Sequence, residues 1–384
     1  MLNSKTEALG IIFPNSYDAM VPELASERLM ASIPFASRYR MCDFILSSMV
    51  HSGIDNISII VRKNYHSLLD HLGAGREWDL VRKNGGLNIV PPFAQKQVKV
   101  FEGRIEALES LRGYLLKQPQ KYVIMTDANI AINFDFNELL DAHIKSGADV
   151  TMMYRKQEIP KAFIRQSRDR MDLYYALGMN GDRVSKIYIN PTEEGEMNFS
   201  MNIYVVEREF LINMIDDAYV HGHTYFVRDL LDKQIDRLDI RGFCYDGYVV
   251  NIHDTHSYFE ENMRLLFIEF VSNFYGIVHI HHFVEYGSGV VAATRYINYS
   301  KAKNVMVADG CVIEGEVENS VLFRGVHVGK GAKVKNCVLM QDTVVEDNAS
   351  VEYVITDKNV RVTEGKSLTG NESYQVYVSK GQVV

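Results

Sequence analysis

The sequence predicts an α/β + β chain. A domain with a mostly parallel sheet, covered by helices on both faces, precedes a parallel β-helix. Three observations predict it. Strand-like and helix-like segments alternate up to about residue 250. A six-residue period runs through the last third. The composition, 47% apolar and 23% charged, is that of an ordinary globular protein.

Residues 8–13 are an unbroken apolar run, suited to a buried first strand. Residues 43–52 are helix-like, 56–61 read as a second strand, and 64–72 open a helix. Over residues 104–116, Ile105, Leu108, Leu111 and Leu115 fall at helical spacing. Residues 122–125 read as a third buried strand and 136–146 as the next helix. Residues 149–154, 184–189 and 203–206 extend the sheet, and 265–275 look like a helix leading towards the repeats. In such sheets the ligand crevice lies at the carboxyl ends of the strands. The expected boundaries are 1–275 for the α/β domain, 276–300 for a connecting segment and 301–384 for the β-helix.

The period rests on named positions. Val305, Cys311 and Val317 are six apart, as are Leu322, Val328, Val334 and Met340, then Val345 and Val351, then Val362 and Leu368. The register slips by one at Val317 to Leu322 and at Met340 to Val345. Three short strands per coil, stacked, bury a continuous aliphatic column. A β-sandwich would instead alternate with period two between turns.

The net charge of −8 argues against nucleic acid or an anionic membrane as the main partner. Cys42, Cys244, Cys311 and Cys337 form no CxxC pair and have no His at zinc-ligand spacing, so they read as buried free thiols in a reducing compartment. Residues 1–6 lack the start of a signal peptide, and the apolar window 265–280 contains Glu269, Ser272 and Asn273. A cytoplasmic chain is expected. His279, His281 and His282, near Glu285, suit packing or an interface better than a metal, and His221 and His223 flank Gly222 in a loop-like stretch. No metal site is expected.

Several segments carry a family resemblance. IPFASRYRMCDFILSSMVHSGIDNISIIV (33–61), YHSLLDHLG (65–73), FEGRIEAL (101–108), SMNIYV (200–205) and VENSVLFRGVHV (317–328) resemble bacterial glucose-1-phosphate adenylyltransferase. The resemblance covers nearly the whole chain. It implies a Rossmann-like nucleotidyltransferase domain followed by a left-handed parallel β-helix of hexapeptide repeats.

The departures from the family carry the functional reading. The family's first strand enters a GGxGTRL loop, followed by a Lys in an AKP-type motif, and such loops bring backbone N–H groups and cations to a triphosphate. Here Asn15, Ser16 and Asp18 stand where the glycines would be, Met20 where the Arg would be and Met30 where the Lys would be. A carboxylate about 4 Å from a phosphate repels it by roughly 4 kcal/mol at an effective dielectric near 20. The family's two Mg2+-binding Asp positions align with Asn129 and Asn251, while Asp127 and Asp135 lie nearby as possible substitutes. Mg2+ prefers anionic oxygen. The family's EKP motif corresponds to Ile189, Asn190 and Pro191, so the phosphate-contacting Lys is absent. Gly103 resembles the Gly lining the base pocket and Ser200 the residue near the sugar, although each also suits an ordinary turn or strand end.

Five chemistry-bearing charges are thus missing, at Met20, Met30, Asn129, Asn190 and Asn251. The pattern is similar to the non-catalytic, regulatory D-type subunit of this family. The resemblance implies no catalytic residue and no cofactor for this chain alone. Mg2+ and ATP would bind to a catalytic homologous subunit, its partner in a hetero-tetramer that makes ADP-glucose for glycogen biosynthesis. Arg38 and Arg40 match a basic pair near an anionic effector site, and two guanidinium groups suit a phosphate effector. The alternative is a self-sufficient glucose-1-phosphate adenylyltransferase. An acyltransferase would rest on His327, the only His within the repeats, for which the sequence shows no carboxylate partner.

Overall fold

Buried apolar side chains along Ala8–Phe13 form the strand around which the first unit is built. The structure is a computed structural model and describes residues 7–91, 103–167, 173–193, 195–267, 293–297 and 299–384. The chain divides into two units. The first comprises Met1–Ser16, Ile45–Ala128 and Phe134–Gly247, and the second Tyr17–Phe44, Asn129–Asn133 and Tyr248–Val384. The second unit therefore gathers segments that chain order alone assigns to the α/β domain. The expected boundary at 275 lies outside the described residues.

Among the described residues of the first unit, nine strands form one sheet. They are β1 (Ala8–Phe13), β2 (Asn56–Ile60), β3 (Gly86–Val90), β4 (Tyr122–Asp127), β5 (Val150–Glu158), β6 (Tyr175–Asn180), β7 (Arg183–Ile189), β8 (Glu196–Glu207) and β9 (Ile240–Cys244). Their order is β3-β2-β1-β4-β8-β5-β9-β7-β6. The half from β3 to β4 is parallel, as expected. Beyond β4 the sheet becomes mixed: β8 runs antiparallel to both β4 and β5, and β9 is parallel to β5. β6 and β7 form a hairpin through the two-residue loop Gly181-Asp182, with Gly181 at φ 63°. Glycine at the first position of a two-residue hairpin loop supplies the positive φ that such a turn needs. The helices Arg104–Leu115 and Arg208–Val220 pack together, and Leu108, Leu111, Leu211 and Ile215 join Leu9, Ile11, Val123 and Met125 in one core. The helix Phe136–Ser146 has the expected bounds, because Asp135 caps its start and Gly147, at φ 65°, ends it.

In the second unit the hexapeptide pattern becomes stacked parallel strands on three faces. Val317, Val334, Val351 and Leu368 pair in register, as do Ile313, Val328, Val345 and Val362. The third column is Leu322, Leu339 and Thr356. This corrects Met340, which is buried but stands one residue past the stacking position, and Val305 and Cys311, which stand two residues before Val307 and Ile313, the residues that stack on Leu322 and Val328. From Val317 onward the apparent slips are one short side per coil, so these coils advance by seventeen residues rather than eighteen, whereas Ile313 to Val328 advances by fifteen. Left-handed corners recur at that interval, at Asn319, Asn336 and Tyr353 and at Gly325, Asp342 and Asn359. Asn, Asp and Gly tolerate that conformation best.

The same unit contains an antiparallel pair, Ile130–Ile132 with Val249–Asn251. It also contains the helix Thr255–Arg264, closed by a capping box between Asp254 and Ser257. The expected helix at 265–275 does not begin there. Leu265–Phe267 form the turn after that helix, and the remainder lies outside the described residues. Among the described residues no helix is long and apolar enough to cross a membrane.

Candidate functional site

In the first unit the loop after β1 is held by the protein itself. The Asn15 side-chain oxygen accepts the Arg62 backbone N–H at 3.1 Å, and the Ser16 hydroxyl donates to Asp127 at 2.6 Å. Asp127 ends β4 opposite Phe13 of β1, so it lies at the carboxyl edge of the sheet, where a ligand would be sought. It is fully buried and paired with Arg104 at 2.6 Å. The nearby substitute for a metal ligand is therefore already neutralised. Asp135 is also engaged, since its carboxylate accepts the backbone and side-chain N–H groups of Asn137 at 3.0 and 2.8 Å.

Asn190 stands at φ 48°, and its side-chain oxygen accepts the backbone N–H groups of Leu173 and Tyr174 at 2.8 and 3.0 Å. The residue aligned with a phosphate-binding Lys therefore closes a turn. Ser200 is buried beside a bulge in β8 and accepts the Asn202 N–H at 3.3 Å. Gly103 has a packing reason of its own, because a Cβ there would lie 2.2 Å from the Thr224 carbonyl oxygen.

In the second unit Met20 and Met30 are buried, and the Met30 N–H donates to the Asp18 carboxylate at 2.7 Å. Asn129 and Asn251 are brought together by the short strand pair that follows the one and ends with the other. The Asn129 side-chain N–H donates to the Asn251 side-chain oxygen at 3.1 Å. The two positions aligned with metal-binding carboxylates thus satisfy each other as neutral amides. Two amides in mutual contact offer no anionic charge, so these residues do not fit Mg2+.

Arg40 lies in a second polar group that extends beyond the sequence reading. Lys358 has its amine pulled down to about 8, first by burial and then by the neighbouring cations Arg40, Arg28 and Lys380. Arg28 is itself buried and bidentate on Asp357, at 2.7 and 2.9 Å. Asp357 also accepts the Tyr377 hydroxyl at 2.9 Å and the Lys358 backbone N–H at 2.6 Å. Arg38 contributes a backbone contact, its N–H to the Ala36 carbonyl at 2.7 Å.

Sequence reasoning missed Arg104, Arg28 and Lys358. Arg104 offered a signal, because a cation in the first turn of a helix opposes the helix dipole and needs a tertiary partner. The other two offered none, since their partners lie far along the chain. His327 has a carboxylate neighbour after all, Glu314 on the adjacent coil at 3.1 Å. Cys42, Cys311 and Cys337 are buried as expected, and burial pushes the Cys311 and Cys337 thiols up to about 11 and about 12. Cys244 departs from the expectation and is exposed. The cluster at His279, His281 and His282, with Glu285, lies outside the described residues.

A strand-and-helix unit with a ligand edge, joined in one chain to hexapeptide coils, defines a protein of the nucleotidyltransferase class. The nucleotidyl transferase family matches residues 23–265, and the GlmU-like C-terminal hexapeptide family matches residues 291–377. The chain is 31% identical over 381 residues to the glycogen biosynthesis protein GlgD of Bacillus subtilis (strain 168), covering 98% of this chain and 97% of that protein. It is 33% identical over 328 residues to the GlgD protein of Geobacillus stearothermophilus, covering 85% and 82%. A glucose-1-phosphate adenylyltransferase of Clostridium perfringens (strain 13 / Type A) is 26% identical over 395 residues, covering 100% and 97%. The chain belongs to the family of glucose-1-phosphate adenylyltransferases and GlgD glycogen biosynthesis proteins, as a GlgD-type member.

Proposed function

We propose that the chain is a regulatory subunit with little or no activity of its own, which assembles with a catalytic homologue and modulates ADP-glucose formation. The observation that carries this reading is the hydrogen bond between Asn129 and Asn251, the two positions that the family resemblance sets against metal-binding carboxylates. In-line attack on an α-phosphorus needs the developing charge cancelled by metal and cations. The buried Met20 and Met30 and the turn-closing Asn190 support the same reading. Mg2+ and ATP would then act on the partner subunit, in a hetero-tetramer. The test is diphosphate release by the purified chain, by its catalytic homologue and by their mixture. The chain alone is expected to be silent, and the mixture to differ from the homologue by about 5- to 150-fold, as 1–3 kcal/mol of coupling implies. A mixture with the kinetics of the homologue alone contradicts the proposal.

The effector would be a phosphate compound held at Arg38 and Arg40, with Lys358 beside Arg40. The amine of Lys358 sits below its ordinary value, at about 8 in the folded chain. The folded state therefore favours the neutral amine, and stability rises with pH between about 8 and about 10.5. A bound phosphate reverses the preference, so binding at pH 8.5 should take up a proton, read by calorimetry in two buffers. Lys358→Gln is expected to raise the melting temperature at pH 7 and to weaken inorganic phosphate binding about tenfold. A variant that is less stable and binds phosphate unchanged contradicts this site.

A further inference from the structure

Arg104 begins a helix, the end where a positive side chain is least favoured. Tertiary contacts hold it there. Its guanidinium lies 2.6 Å from the Asp127 carboxylate, 4.5 Å from the Phe13 ring centroid and 5.6 Å from the Tyr204 ring centroid. Phe13 and Asp127 stand opposite each other at the carboxyl ends of the paired parallel strands β1 and β4. A fully buried carboxylate is costly unless a cation accompanies it. The groups facing it are Arg104, the Ser16 hydroxyl and the Tyr204 phenol, which burial keeps neutral by raising it well above its ordinary value. One carboxylate oxygen takes both contacts, and the other is buried with no hydrogen-bond partner among the described residues.

We propose that Arg104 is a built-in counter-cation. It occupies the charge that a divalent metal would otherwise supply to Asp127, and so closes the carboxyl edge of β1 and β4 to metal. With Arg104 in place the pair is neutral, and a metal ion would add two uncompensated charges beside two aromatic rings. This deepens the reading of the chain as lacking a catalytic metal and rests on it.

The test is the melting temperature of the full chain, of Arg104→Met and of Arg104→Lys at pH 8, with and without about 1 mM Mn2+. Met keeps an apolar body against Phe13 and Tyr204 but removes the charge. Arg104→Met is expected to lose about 10 °C without metal. Mn2+ is expected to recover part of that loss and to leave the wild type and Arg104→Lys unmoved. A loss that Mn2+ does not recover overturns the inference, because the site then has no affinity for metal even without its cation, and the proposed function stands. If Mn2+ stabilises the wild type itself, this inference and the metal-free reading fail together.

Discussion

Replacing Arg28 with alanine is expected to destabilise the second unit by about 3–5 kcal/mol, the usual cost of removing one partner of a buried ion pair. The guanidinium is 3% exposed and grips both oxygens of Asp357. Its loss would leave a carboxylate inside the protein with, among the described residues, the Tyr377 hydroxyl and the Lys358 backbone N–H as donors. Asp357→Ala should cost a comparable amount, by stranding Arg28 instead. The double variant should cost clearly less than the two singles summed, because it leaves no buried charge without its partner. Chemical denaturation of the three variants reads this directly. Additive losses would show that the pair contributes through packing rather than charge.

The second large effect concerns the amide pair. Converting Asn129 and Asn251 together to aspartate places two carboxylates where one amide now donates to the other at 3.1 Å. Two like charges about 4 Å apart repel by about 4 kcal/mol at an effective dielectric near 20. Without divalent metal, the double variant is expected to lose about 2–4 kcal/mol at pH 8. The loss should shrink as pH falls towards about 4, where one carboxyl is protonated. Magnesium at millimolar concentration should restore stability, because it cancels the repulsion. Each single variant should cost less, since one carboxylate can still accept from the remaining amide. A double variant as stable as the wild type without metal would mean that the two side chains do not face each other.

The strands that could be read from sequence were those whose burial leaves an unbroken apolar run, such as Ala8–Phe13. β8 extends well beyond the expected 203–206, because Asn198, Ser200 and Asn202 break the apolar pattern around its bulge. The β-helix was legible because every coil repeats the same corner chemistry. Its register was misread at Val305 and Cys311, where Val307 and Ile313 hold the stacking positions, and at Met340, where Leu339 and Met340 are both apolar and both buried. At the candidate site, the resemblance pointed to Met20, Met30, Asn129, Asn190 and Asn251, but not to the contacts these residues make. The bond from Asn129 to Asn251 spans 122 residues and the pair of Arg104 with Asp127 spans 23. Neither follows from a local pattern.

The central claim is that Asn129 and Asn251 hold no catalytic metal. Titrating the wild-type chain into Mn2+, and following the free ion by its paramagnetic resonance signal, tests it directly. The account predicts that the signal stays that of free Mn2+ up to millimolar protein. Uptake of one ion per chain, abolished by Asn129→Ala or Asn251→Ala, would contradict it.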